Sequence, residues 1–245
     1  DVKGLFIDGN TSNLDELITE VIYYSSEEKS LVTPLDVTQS SGVVENVTIR
    51  NTSSVCKDID DDGIMEVPSP FVPKLSDSEL TPCPITKWYK VNYKDGKTTQ
   101  VMQTVASYFD GFYFILPDSW KKHIVPVNDN TARTTTFYEI ERVVDDKNAA
   151  TEVATQETVP EISTQPQSSS DDSTTIVEIS QEPVLTIKVF SDKNWKNEGS
   201  ARIAEGYTVL EVDNGLVYTC KLGSSMNNQL NLSTDQVSSN FRLIN

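Results

Sequence analysis

The chain holds one histidine and three cysteines in 245 residues. With His123 alone, no Cys/His spacing has the form of a zinc site. Cys56, Cys83 and Cys220 are too few, and odd in number, for a disulfide scaffold. Cys56 and Cys83 flank one acidic turn, so either a single bridge joins them or all three are free or half-buried thiols. No stretch approaches the ~20 apolar residues of a membrane-spanning helix, and no segment reads as a signal peptide. Positive charge is also scarce: 20 Lys and Arg stand against 37 Asp and Glu, a formal net charge of −17. That balance argues against binding a phosphate backbone and for solubility and cation contacts.

What is present reads as β-rich. The hydrophobic fraction is 37%, and Val, Ile, Thr, Tyr and Phe recur in short alternating runs. The acid is unevenly placed. Residues 1–108 carry 17 acidic against 9 basic residues, net −8, and 146–183 carry 8 against 1, net −7. Chain length suits two ordinary domains or one large one.

Along the chain, "LITEVIYY" (17–24) predicts a strand with a hairpin return at "EEKSLVTPL", and "VENVTIRN" (44–51) another. A short strand is expected at 64–67, followed by an irregular proline-rich connector over 68–84. "KWYKVNYKDGKTTQVMQTVASYF" reads as a hairpin about Asp95-Gly96. "GFYFILP" is a strand closed by Pro117, with Asp118 placed to cap a turn carrying Trp120. "RTTTFYEIERVV" (133–144) should pair with "PVLTIKVFS" (183–191). Between them, 146–182 has no aromatic and is rich in Ser, Thr, Gln, Glu and Pro. It reads as a disordered insert, except that "TTIVEIS" (174–180) could extend the following strand. Ser191 or Asp192 caps a short helix ended by Gly199. A hairpin follows about Asp213-Asn214-Gly215, then a helix capped by Ser233 or Thr234 and a terminal strand at Phe241–Ile244.

The densest chemistry lies in "KDIDDDGIMEVP". Unneutralised carboxylates a few Å apart repel by roughly 1 kcal/mol per pair even in water, so four aspartates in five positions call for a cation. Asp58, Asp60 and Asp62 occupy loop positions 1, 3 and 5. Gly63 permits a sharp turn at position 6, Ile64 can offer its carbonyl at 7, and Glu66 can close the shell at 9. An all-oxygen set of this size suits calcium better than magnesium. The competing reading is a solvated acidic turn without an ion. Asp61 falls outside the pattern and should face solvent. An EF-hand would need an acid at position 12, where Ser69 follows Pro68.

The loop resembles the Asp-x-Asp-x-Asp-Gly-x-x-Glu/Asp calcium loops of FG-GAP and VCBS-type repeats, which belong to β-propeller blades. The stretch "ELITEVIYYSSEEKSLVTPL" is similar to blade sequence. The likeness covers about residues 1–108, room for two blades of ~40–50 residues, and a ring needs at least four. Residues 109–245, through "GFYFILPDSW", "LTIKVFSDKNW" and "YTVLEVDNGLVYTCKL", resemble a small α/β domain of Firmicutes surface lipoproteins. These resemblances imply an α+β, mainly β chain: blade-like strands over 1–108, then over 109–245 a curved antiparallel sheet with short helices. They also imply Ca2+ as the bound ion and a non-enzymatic extracellular protein that binds a protein or glycan partner. A start at Asp1 rather than Met fits a processed or truncated product, cell-surface anchored in its intact precursor.

The alternative is a hydrolase, or an accessory module of one, whose active groups lie outside this fragment. Within the chain, His123 has no nucleophile motif beside it. Glu139 and Glu141 share a strand face and could pair for glycosidase chemistry, but a solvated face is the plainer reading. Trp88, Trp120, Trp195, Tyr23, Tyr24, Tyr89 and Tyr113 could form a sugar platform or, more simply, core. Asn10, Asn46, Asn51 and Asn231 head glycosylation sequons, of consequence only in a host that uses them.

Overall fold

The computed structural model describes residues 3–11, 16–38, 44–46, 48–50, 54–76, 79–92, 96–144, 175–225 and 227–244. Two compact units emerge. Unit 1 draws on Asp1–Phe71 and Thr86–Met102, and unit 2 on Val72–Ile85, Gln103–Thr155 and Ser173–Asn245. Most of the 146–182 stretch lies outside the described residues.

In chain order, unit 1 begins with β1 (Gly4–Asn10), β2 (Leu17–Ser25) and β3 (Ser30–Val32). These form an antiparallel meander in which Phe6 faces Val21, Leu5 faces Ile22 and Tyr24 faces Leu31. Next come β4 (Asp36–Thr38), β5 (Val44–Asn46) and β6 (Val67–Phe71), the last two separated by the acidic loop. β7 (Lys74–Leu75) belongs to unit 2. β8 (Ile85–Val91) lies beside β6 in unit 1, together with the first half of β9 (Thr98–Ser107). Val21, Leu35, Cys56, Val67 and Val91 form the unit 1 core, with Phe6 and Met65 packed against it.

Two expectations change here. The strand after the acidic loop starts at Val67, not at 64, and Pro68 and Pro70 lie within it. Proline cannot donate to a ladder, so it survives in a strand only at an edge. β6 is such an edge, with β8 on one side and no strand on the other among the described residues. The β8–β9 hairpin forms as expected, Asn92 N donating to Lys97 O at 2.8 Å and Gly96 at φ +66°; Lys94 and Asp95 lie outside the described residues.

Unit 2 continues with β10 (Phe112–Ile115), β11 (Ile124–Asp129), β12 (Thr134–Val144), β13 (Ile176–Ser191), α1 (Asp192–Ala204), β14 (Tyr207–Asp213), β15 (Leu216–Leu222), α2 (Thr234–Asn240) and β16 (Phe241–Leu243). One sheet runs β11-β12-β13-β15-β14, all antiparallel, with β7 joining β13 in parallel. Beside β10 lie β16 and the second half of β9, both antiparallel. The chain is thus mainly β with two helices, and none of its sheets is closed among the described residues. β13 begins at Ile176, so the strand-like 176–182 segment pairs with β12 rather than joining an insert.

Local signals explain several of these elements. Ser191 Oγ accepts from Asn194 N to start α1. Ser233 and Gln236 form a reciprocal capping box that starts α2. Asn214 (φ +47°) and Gly215 (φ +77°) turn β14 into β15. The turn at Asp118–Trp120 is capped by Pro117, not by the Asp118 side chain. α1 also runs past Gly199, which is buried against the Trp195 indole, and ends at Ala204. The unit 2 core is aromatic: Trp120 lies 5.9 Å from Phe114 and 5.5 Å from Phe137 between ring centroids, and its Nε1 donates to Leu230 O at 2.8 Å.

Candidate metal centre

The 58–66 loop is tied at its base by a two-way backbone bridge. Lys57 N donates to Glu66 O at 3.2 Å and Glu66 N to Lys57 O at 2.9 Å. Ile59, within the loop, is buried. The chain then reverses through Asp61 at φ +58° and Gly63 at φ +85°. A Cβ on Gly63 would meet nothing within 4 Å, so glycine is required there for its backbone conformation and not for space. Asp61 is one of the residue types that tolerate this region, and its side chain is exposed as expected.

Asp58 organises the turn. Its Oδ1 accepts from Asp62 N at 3.0 Å and its Oδ2 from Gly63 N at 2.8 Å. Asp62 Oδ1 in turn accepts from Ile64 N at 3.0 Å. Asp58, Asp60 and Glu66 each bring a carboxylate oxygen within 4.8 Å of the others. Three of the five residues singled out by spacing thus converge. Asp62 lies beside them, held by a lysine that also reaches Asp60. Ile64 enters through its N–H.

That lysine, Lys90 on β8, escapes sequence reasoning. Its Nζ donates to Asp60 Oδ2 at 3.0 Å and to Asp62 Oδ2, and stands 3.6 Å from Glu66 Oε1. It lies 28 to 30 residues from its partners, beyond any local pattern. The one clue is that it shares a strand face with buried Trp88, two residues earlier.

Glu66 is fully buried. Its Oε2 accepts from Ile59 N at 3.0 Å, but its Oε1 has no hydrogen-bond partner. Burial pushes its carboxyl above the ordinary range, and the nearby charges of Asp60 and Asp62 add to this against the pull of Ile59 N–H and Lys90. Asp62 is held below its ordinary value by the bond from Lys90. The bonds to Asp62 and Asp60 raise the Lys90 ammonium in return. A buried acceptor without a partner costs about 1–3 kcal/mol, more when charged. The donor set is all oxygen and strongly anionic, and its buried member points an unused oxygen toward the others. A hard divalent cation fits that set.

The other candidates are structural. Cys56, Cys83 and Cys220 are free and buried, and burial lifts the first two thiols to about 12 and the third to about 11. His123 is exposed, its backbone bonded to Trp120 and Ile140. Glu139 accepts from Ser225 Oγ at 2.5 Å, whereas Glu141 is exposed. Trp88, Trp120 and Tyr113 are buried, and Trp195 packs on Phe190 at 5.3 Å, so these rings serve the cores. Asn231 Oδ1 accepts from Ser225 N, tying its sequon into a loop. Among the described residues no helix is long and apolar enough to cross a membrane.

No family model, no curated protein and no solved structure matches the chain.

Proposed function

We propose that the chain is a non-enzymatic, calcium-binding protein of the extracellular surface, acting in adhesion or partner binding, with the ion held in the 58–66 loop. The observation that carries this reading is Glu66 Oε1, buried and without a hydrogen-bond partner, facing an acidic cluster. Asp58, Asp60 and Glu66 would supply carboxylate oxygens, with Asp62 and the Ile64 carbonyl completing the shell. When bound, the ion supplies charge neutralisation and cross-links the two ends of the loop. Asp58 keeps a second task, fixing the turn through the N–H groups of Asp62 and Gly63.

The FG-GAP-like, blade-like reading of residues 1–108 draws support from the β1-β2-β3 meander. Leu5, Tyr24 and Leu31 are exposed on one of its faces, while Phe6 and Val21 face the core on the other. Blades of a propeller are apolar on both faces because each stacks on the next. Surface display on a Firmicutes-type lipoprotein goes with this reading and with the acidic charge.

Titration calorimetry of the full chain with calcium tests the proposal. Binding heat is expected at or below millimolar calcium, and its loss in an Asp60→Ala, Asp62→Ala variant. Absence of heat in the wild type at millimolar calcium sinks the reading.

A further inference from the structure

We propose that Lys90 is a built-in competitor for the cation of the 58–66 loop: its ammonium and the metal ion take the same carboxylates in alternation. This rests on the calcium reading above and deepens it, because it assigns the site a means of setting its own affinity.

The shared carboxylates set the two cations in competition. The ammonium contacts Asp60 Oδ2 and Asp62 Oδ2, and Asp60 is one of the three carboxylates whose oxygens converge. Calcium takes its oxygens at 2.3–2.6 Å, so an ion sharing Asp60 and Asp62 with the ammonium would lie against it, charge to charge. One of the two must leave. Lys90 has the means, since its side chain is 25% exposed and its charge rides on a flexible four-carbon stem. Its backbone stays in β8 while the head group swings to water.

The ammonium also fits the cradle poorly, which separates this arrangement from an ordinary structural ion pair. An ammonium has three donors. Two are spent on Asp60 and Asp62, and the distance from Nζ to Glu66 Oε1 is 3.6 Å, beyond hydrogen-bond length. The one fully buried carboxylate of the cluster is therefore left with an unused oxygen while the lysine is in place. Asp58, committed to the backbone of Asp62 and Gly63, is not among its hydrogen-bond partners. A ligand with higher coordination would use what the lysine cannot reach. The lysine keeps the loop ordered when the metal is scarce and lowers the apparent affinity when it arrives. If the ammonium-in form holds nine-tenths of the metal-free population, affinity falls about tenfold below its intrinsic value.

The test compares calcium affinity of wild type, Lys90→Met, Lys90→Gln and the control Lys87→Met, each as the full chain, by calorimetry. Lys87 lies on the same strand with its Nζ over the Phe71 ring at 4.7 Å, so it reports a general loss of positive charge. Thermal scans with chelator accompany each titration; Lys90→Gln, which keeps a donor beside Asp60 and Asp62, guards against misfolding of the methionine variant. Both Lys90 variants should bind calcium about tenfold tighter or more, and Lys87→Met should match wild type. In chelator the Lys90 variants should melt lower than wild type, and calcium should close that gap. Calcium binding by the Lys90 variants alone would overturn both the alternation and the calcium reading of the wild type, because the lysine would then be a permanent occupant of the site. If wild type binds and neither Lys90 variant binds more tightly, the competitor role is overturned while the metal site stands. If no variant binds, both readings fall together.

Discussion

Asp8 and Arg50 stand 42 residues apart in sequence and 2.8 Å apart in space, joined as an ion pair inside unit 1. All three guanidinium nitrogens are engaged. Nε donates to Ser54 O at 2.7 Å, Nη1 to Thr19 Oγ1 and Thr48 O, and Nη2 to Asp8 Oδ1. Asp8 also accepts from Thr19 Oγ1 at 2.6 Å and from Cys56 N at 2.7 Å. One pair thus ties β1 and β2 to the segment that leads into the acidic loop. Asp8→Ala would strand a buried guanidinium and should cost about 3–5 kcal/mol. Urea unfolding monitored by tryptophan fluorescence would measure it, and a loss under 1 kcal/mol would contradict the network.

The same pair sets an acid limit. Burial alone would raise the Asp8 carboxyl, but the bonds from Thr19, the Cys56 N–H and Arg50 outweigh it and hold the group below its ordinary 3.8. The folded chain therefore takes up this proton less readily than the unfolded chain. The stability Asp8 contributes is whole above the unfolded value and is lost as pH falls through the folded one. Glu66 has the opposite sign, since its folded value lies above 4.5; its charged form costs stability as pH rises through that folded value. Urea midpoints between pH 2 and 7 should fall at the acid end in wild type and less steeply in Asp8→Asn.

Glu66→Gln should change sign with calcium. In chelator, amide for carboxylate removes a buried charge with an unused oxygen, and the melting temperature should rise. At calcium near 100 times Kd, wild type gains about 2.7 kcal/mol, several degrees for a small domain. The variant should forgo that gain and melt below wild type. Paired scans with and without chelator read both arms, and an equal shift in both would argue against a metal ligand at this position.

Trp120 gives a control far from calcium in kind. It is buried among Phe114 and Phe137, with its indole N–H on Leu230 O. Trp120→Ala should cost about 3–5 kcal/mol, and Trp120→Phe less, chiefly for the Leu230 carbonyl left without its donor. Neither should alter calcium affinity, since the loop and Lys90 belong to unit 1; calorimetry on both variants checks this.

How much of this was readable beforehand follows the range of each interaction. Asn214-Gly215, Ser191 and the Ser233–Gln236 box act within four residues, and their turns and helix starts are where the sequence puts them. The crowding of Asp58, Asp60 and Glu66 is likewise local and shows as a motif. Gly199 misleads because a helix-ending glycine and a glycine that seats an indole look alike in one dimension. Pro68 and Pro70 mislead because tolerance of proline depends on which side of a strand is paired. Asp8 and Arg50 leave no mark, and Lys90 little beyond its strand face, since each meets its partners through the fold.

Pro68 and Pro70 have a wider effect. Two residues apart, they fall on the same side of the β6 backbone, and with β8 occupying one side, that row is the one turned outward. The border carries carbonyls but is short of the hydrogens that a visiting chain would need to register against. Growth of the sheet by strand addition is disfavoured at this edge, which carries no further strand among the described residues. A strand laid along that rim would find carbonyls to donate to, but no N–H from Pro68 or Pro70 to bond in return.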